Sequence, residues 1–292
     1  MATSRRHHRL RRGTDAEQRI ADRTPPPSSI APTESPVDRG DRWRDAILHA
    51  AIIVLAVLWI YSPVYNPVFP PDWLWDDDQL LTANATVQNT TLSGIAKLWF
   101  NPDGADYFPL SYTALWMQWP MFNMWPTGYH LTTILLHVAG SLLLWRLFTT
   151  MKLPGAWLGA LLFAVHPVCV ESVAWVSELK NTLSLPLFLL SAIHYVKFDD
   201  KAALEGPESR SAKRHYLLAI GLFLLSMFAK TSVVMMPVAI LLYAWWKRGR
   251  VTERDVIRSA PFFLISLILG RSEEHTSELQ SRQYLVCRLL LE

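Results

Sequence analysis

The sequence predicts an all-α, polytopic transmembrane helical bundle, on three observations. Apolar stretches of membrane length alternate with short polar hinges between residues 45 and 270. The composition is 51% hydrophobic and 18% charged, with a mean hydropathy of +0.15, too apolar for an ordinary soluble domain. Thirteen Trp fall largely toward the ends of the apolar runs, where interfacial aromatic belts put them. The net charge of +3 says little about partners; the placement of the positive charges says more. The two cysteines, Cys169 and Cys287, stand far apart, and neither a disulfide nor a metal site is expected from them.

Residues 1–44 read as a disordered basic arm. Arg5, Arg6, Arg9, Arg11 and Arg12 form a block, and Pro25-Pro26-Pro27-Ser28-Ser29 denies the segment a helix or a core. The block suits a cytoplasmic anchor beside anionic lipid better than a nucleic-acid contact, so no nucleic-acid partner is expected. The first span, residues 46–61, stops at Pro63 and lies too far from the start for a simple secretory signal. Residues 62–128 read as a long outer loop, with Asp72, Asp76, Asp77, Asp78, Asp103 and Asp106 against a single Lys97. Within it Leu92–Phe100 has the pattern of an amphipathic helix, with Ile95, Leu98 and Trp99 on one side.

Further spans are expected at 129–148, 155–165, 182–196, 216–229 and 233–246, and 261–270 begins another. That makes about six full spans plus part of a seventh. The short third one should break at His166-Pro167, because proline removes an amide donor and restrains the residue before it. The hinges 146–154, 197–215 and 247–258 hold, with the arm, nearly all the Lys and Arg. Placing them in the cytoplasm satisfies the positive-inside rule and gives a multi-pass protein with a cytoplasmic N-terminus. The acidic loop, the 166–180 segment and Lys230 then share the outer side. Residues 271–292 read as a sequencing-adapter artefact joined to an apolar helix, and their His and Glu carry no site.

Three groups of polar residues bear on chemistry. Asp76, Asp77 and Asp78 could take a proton from a hydroxyl as it attacks an electrophile, or form a solvated acidic turn. His166 and Glu171, about a turn apart, could hold a metal, a sugar or a phosphate; alternatively the His caps a helix and the Glu pairs with Lys180. Lys180 and Lys230 could neutralise a departing phosphate or snorkel to the interface. His130 and His137, seven apart on one helix face, read as buried structural groups bonded to neighbouring helices.

Trp75-Asp76-Asp77-Asp78, Tyr107-Phe108-Pro109-Leu110-Ser111-Tyr112-Thr113 and Gly128-Tyr129-His130-Leu131 come in an order that resembles a known family. Leu135-Leu136-His137, Phe163-Ala164-Val165-His166-Pro167-Val168 and Glu171-Ser172-Val173-Ala174-Trp175 continue the series. Lys180-Asn181-Thr182-Leu183-Ser184 and Ala229-Lys230-Thr231-Ser232 complete it. Residues 45–270 resemble the amino-terminal half of bacterial membrane proteins with carboxy-terminal tetratricopeptide repeats. Those are similar to the animal transmembrane and tetratricopeptide-repeat O-mannosyltransferases.

The resemblance implies a partial GT-C-like transmembrane domain in the bacterial inner membrane. It implies transfer of a hexose, mannose above all, from a polyprenyl-phosphate carrier in the lipid bilayer to a protein Ser or Thr outside the cytoplasm. It assigns catalysis to Asp76 and Asp77, and substrate binding to Asp78, His166, Glu171, Lys180 and Lys230. Metal dependence is open, a divalent ion or a Lys serving the leaving phosphate. Leu179 stands where bacterial relatives often carry Arg, which would remove one phosphate contact. No 34-residue repeat is present, and with the later helices missing the expectation is a truncated, inactive chain. The rival expectations are a non-catalytic membrane anchor for such repeats and, last, a transporter.

Overall fold

A computed structural model describes residues 36–66, 72–74, 76–100 and 107–271, with side chains from residue 43 onward. The 1–35 part of the basic arm, Trp75, Asp103, Asp106 and the 272–292 tail lie outside the described residues. No strand occurs among the described residues. The chain divides into units 1–47 and 48–292, and the second holds the core and the site.

The first helix, α1 (Pro36–Ile60), starts earlier than expected, with proline in the first turn, where its missing amide costs little. A 3-10 turn at Ser62–Tyr65 follows. The expected loop is largely helical: α2 (Ala85–Gln88), α3 (Leu92–Phe100) and α4 (Pro109–Phe122) occupy it. The bounds of α3 match the sequence reading; Leu98 is buried, and Ile95 and Trp99 are half-buried. The 14-residue α4 was not foreseen. Its aromatic residues blur any helical stripe, and Pro120 near its end reads as a breaker.

Next come α5 (Pro126–Thr150), α6 (Ala156–Ala164), α7 (Val170–Ala174), α8 (Leu179–Leu204), α9 (Arg210–Ala229) and α10 (Met236–Arg248). Residues 253–271 form α11. The break at His166-Pro167 is where the sequence puts it, and the chain bends there by 49°. The hinge 197–215 is shorter than expected. Helix α8 runs on to Leu204, supported by the Lys201–Glu205 pair at 2.9 Å, and the chain turns at Gly206 with φ +89°.

Only part of the six expected spans has the length and composition of a membrane crossing among the described residues. Among the described residues three helices are long and apolar enough to cross a membrane: Trp43–Ile60, Pro126–Thr150 and Arg210–Ala229. The bent pair α6–α7 makes a fourth if taken as one span. These helices make the chain an integral membrane protein by length and composition. The 182–196 stretch lies in α8, whose ends carry Lys180, Lys197, Asp199 and Asp200. The 233–246 stretch splits into a 3-10 turn, Thr231–Met235, and the 13-residue α10. At ~1.5 Å per residue α10 is about 20 Å long, short of a ~30 Å hydrocarbon core.

Packing relies on small residues. Along the α8–α9 hairpin Ser184 and Ser191 on one helix face Ala212, Ala219 and Ser226 on the other, all buried and seven apart within each helix. That spacing keeps one face of each helix against its partner and lets the backbones approach. Ser191 Oγ donates to the Ala219 carbonyl at 2.7 Å. On α5, a Cβ at Gly140 would meet Leu185 Cδ2 at 3.2 Å, so the α5–α8 crossing is close. Ala160 and Ala164 of α6 are fully buried with Ile53 and Val57 of α1 and Ile134 of α5.

The end of the bundle opposite the acidic segment is held by ions. Buried Asp199 accepts from Lys247 Nζ at 2.8 Å and from Arg248 Nη1 at 3.0 and 2.9 Å. Arg248 Nη2 reaches Asp255 at 2.5 Å, and Asp255 also accepts from the amide and hydroxyl of Thr252. Partial burial would raise the Asp255 carboxyl, but the Thr252 donors and the Arg248 guanidinium outweigh it and hold it below the ordinary value of 3.8. A depressed carboxyl contributes stability above its unfolded pKa and loses it as pH falls through the folded value. In detergent, cooling of the melting point between pH ~5 and pH ~2 should therefore be steeper for the native chain than for Asp255→Asn. Asp199→Ala removes the carboxylate shared by Lys247, Arg248 and Arg258 and should cost about 3 kcal/mol at neutral pH.

Candidate active site

The acidic segment turns where the sequence places it. Asp77 donates its amide to the Leu74 carbonyl at 2.9 Å, and its Oδ2 accepts the Leu74 amide at 3.0 Å. A π-turn, Asp78–Thr82, then leads to α2. Asp77 is only 1% exposed. Its Oδ1 accepts the Ser177 amide at 2.8 Å and, in a very short hydrogen bond, the Ser177 hydroxyl. Three donors thus satisfy a carboxylate that burial would otherwise disfavour strongly.

The neighbouring aspartates differ. Asp76 is half-buried, and its Oδ1 has no hydrogen-bond partner among the described residues. Asp78 is exposed and accepts from the Thr82 hydroxyl at 2.5 Å, as a solvated turn residue does.

Ser177 belongs to a 3-10 turn, Val176–Glu178, just before α8. The next side chain of that turn, Glu178, gathers the cations. Lys180 stands 3.3 Å from it and Lys230 3.6 Å. Asn181 Nδ2 also donates to it and reaches Ser172 Oγ at 3.0 Å. Lys230 is the first residue beyond α9, in extended backbone. Ser111 Oγ fixes that helix end by donating to the Ala229 carbonyl at 2.8 Å. Lys180 also lies 5.9 Å from the centre of the Phe108 ring. The turn 176–178 therefore joins an anchored carboxylate to a cluster of two lysines and one glutamate. A cavity of about 390 Å³ opens beside it, with Ser172, Asn181 and Ser232 among its polar lining and Phe163, Leu185 and Phe188 among its apolar lining.

Two curated relatives are similar to part of the chain. Protein O-mannosyl-transferase TMTC4 of Homo sapiens is 30% identical over 183 residues, which is 54% of this chain and 24% of the relative. The Mus musculus protein of the same name is 29% identical over 184 residues, 54% of this chain and 25% of the relative. The chain spans about a quarter of the length of the curated relatives it matches. No family model and no solved structure matches.

Not every residue singled out from sequence joins the cluster. His166 is exposed, and its Nδ1 accepts the Val168 amide at 3.2 Å, so it caps the turn after Pro167. Glu171 is exposed and does not pair with Lys180, whose partner is Glu178. No group of three or more His, Cys, Asp or Glu that could hold a metal occurs among the described residues. His137 behaves as expected, with Nε2 2.9 Å from the Ala164 carbonyl. His130 does not: it is 1% exposed, and neither ring nitrogen has a hydrogen-bond partner among the described residues. Its electrostatic neighbour is Asp77.

Sequence reasoning passed over Ser177 as a partner and Glu178 as a hub. The available signal was position, since both fall between the 171–175 and 180–184 motif runs. Ser177→Ala removes one of three donors to Asp77 and leaves both amides in place. It should cost about 1–3 kcal/mol, read as a lowered melting point in detergent. Ser177→Thr, which keeps the hydroxyl, should recover most of the loss.

Proposed function

We propose that this chain carries the reaction site of a membrane glycosyltransferase of the GT-C kind. It moves a hexose, mannose above all, from a polyprenyl-phosphate carrier to a protein hydroxyl. The observation that carries the reading is the 176–178 turn, which holds Asp77 on Ser177 and gathers Lys180 and Lys230 on Glu178, beside a cavity with polar and apolar walls. The partial likeness to proteins named as O-mannosyl-transferases supports the same chemistry.

The roles divide as follows. Asp77, bonded to three donors, positions the acidic turn. Asp76, with an unengaged oxygen, accepts the proton of the acceptor hydroxyl. The hydroxyl oxygen then bonds to the anomeric carbon as the bond from that carbon to the phosphate oxygen breaks, and the phosphate leaves with the electron pair. Lys180 and Lys230 offset the charge that develops there. Asn181, Ser172 and Ser232 supply hydrogen bonds at the cavity mouth. Asp78, His166 and Glu171 lie at the exposed edge, where they could meet substrate only from the water side.

Sidedness follows from charge. The hinges with Arg146 and Lys152, Lys197 and Lys201, Arg210 and Arg214, and Lys247 and Arg248 all lie at helix ends away from Glu178. The positive-inside rule puts those ends, with the N-terminus, in the cytoplasm and the site outside.

The competing reading is a non-catalytic anchor for repeat domains, under which the aspartates are dispensable. The two part on one experiment. Membranes containing the full-length protein are given labelled sugar on a polyprenyl-phosphate donor, and labelled protein is counted. Asp76→Asn should lower transfer at least ~100-fold with little change in melting point. Asp77→Asn should lower both. Undiminished transfer by the double variant would reject the assigned base.

A further inference from the structure

Helix α9 carries a surface that the transfer site does not use. Arg210, Lys213 and Arg214 line one end of a groove of about 690 Å³. Leu217, Leu218, Leu222 and Leu225 continue it along the same helix, with Gly221 between them. Each residue of the series lies three or four positions from another member, so the whole forms one stripe. The stripe faces outward: Leu217 is 67% exposed and Leu225 40%. Because Arg210–Ala229 is long and apolar enough to cross a membrane, that outward face meets acyl chains.

Two details give the stripe the form of a binding site. The first is charge. Lys213 is paired with Glu208 at 2.5 Å, whereas Arg210 and Arg214 make no ion pair among the described residues. Two guanidiniums one helical turn apart can converge on a single phosphate, each presenting a planar set of donors to it. The second is shape. A Cβ built at Gly221 would meet nothing within 4 Å, so packing within the chain does not call for glycine there. Glycine is a poor helix former, and at this position it opens a notch midway along the leucines. From Leu217 to Leu225 the helix rises about 12 Å, close to the ~15 Å depth of one leaflet of a hydrocarbon core.

We infer that this stripe binds an anionic glycerophospholipid, with its phosphate on Arg210 and Arg214 and one acyl chain along residues 217–225. Charge selects the occupant: a zwitterionic lipid fills the leucine groove but brings its own cation to the guanidiniums. Length selects it too, because a free phosphate ester leaves the groove uncovered. The site lies at the basic end of the bundle, away from Glu178, and stands independently of the transfer reaction.

The test is native mass spectrometry of the purified protein in detergent, titrated with phosphatidylglycerol or with phosphatidylcholine of the same chains. Phosphatidylglycerol should be retained preferentially. Arg210→Gln with Arg214→Gln should weaken that retention roughly thirtyfold, the equivalent of two basic contacts to an anionic surface, and leave phosphatidylcholine unchanged. Gly221→Leu should weaken retention of phosphatidylglycerol with both arginines present. A melting point shared by all variants excludes misfolding as the cause. Equal retention of the two lipids, full retention by the double arginine variant, or binding of glycerol phosphate as strong as that of the lipid would each overturn the inference.

Discussion

A carboxyl group withdrawn from water among aromatic and aliphatic side chains needs donors to replace its lost hydration, and Asp77 has three. Two of its three donors come from Ser177, one hundred residues further along the chain. The bond therefore ties the segment before α5 to the turn before α8. The apolar residues around it support the same join: Leu81, Leu115, Tyr129, Val176 and Leu179 are buried in one cluster. The cluster excludes water from the bond, and the bond fixes which turn the cluster closes on. With Ser177 directed at Asp77, the next side chain, Glu178, is left to meet Lys180 at the start of α8 and Lys230 at the end of α9.

The site end of the bundle is where the helices are interrupted, and an interrupted helix exposes carbonyls that a bilayer cannot satisfy. Side chains of neighbouring helices take them up. His137 meets the Ala164 carbonyl at the end of α6, and Thr133 donates to the Val173 carbonyl of α7 at 2.6 Å. Ser111 donates to Ala229 at the end of α9, and Ser266 of α11 to Val234 in the turn before α10 at 2.9 Å. Each break is thus tied to a second element. Polar residues on apolar helices that look isolated in sequence are accounted for as partners of particular broken turns. The opposite end works by ion pairing around Asp199, so the two ends are held by different physics.

The parts of this arrangement that were legible in the sequence are those governed by local rules. Leu92–Phe100 announced itself by its stripe, the break at His166-Pro167 by proline's missing amide, and the half-buried Lys230 after Ala229 by the end of an apolar run. What depends on chain segments meeting was not legible. Helix α4 was read as loop because its aromatic residues leave no periodicity and its prolines mimic breakers. The 233–246 stretch is apolar enough to suggest a full span, yet the turn at Thr231–Met235 takes the first part of it. Lys180 has two acidic residues within reach by sequence, and only the tertiary turn decides for Glu178 over Glu171. His130 and His137 share a helix face, so sequence treats them alike; a carbonyl lies opposite one and a carboxylate near the other.

Three consecutive aspartates look equivalent on paper and repel one another in any shared pocket. The fold separates them through the rotation of about 100° per residue that a helical turn imposes. Asp77 points into the apolar layer and fills its acceptor sites with amides and a hydroxyl. Asp78 points to water and closes on Thr82. Asp76 lies between these extremes, half-buried, with one oxygen that nothing among the described residues engages. A base must keep a lone pair available and must sit where its charge is felt, and neither the anchored residue nor the solvated one meets both conditions. Under the proposed function the acidic triplet is a division of labour: one residue holds the turn in place, and its neighbour is left to accept a proton because the first is not.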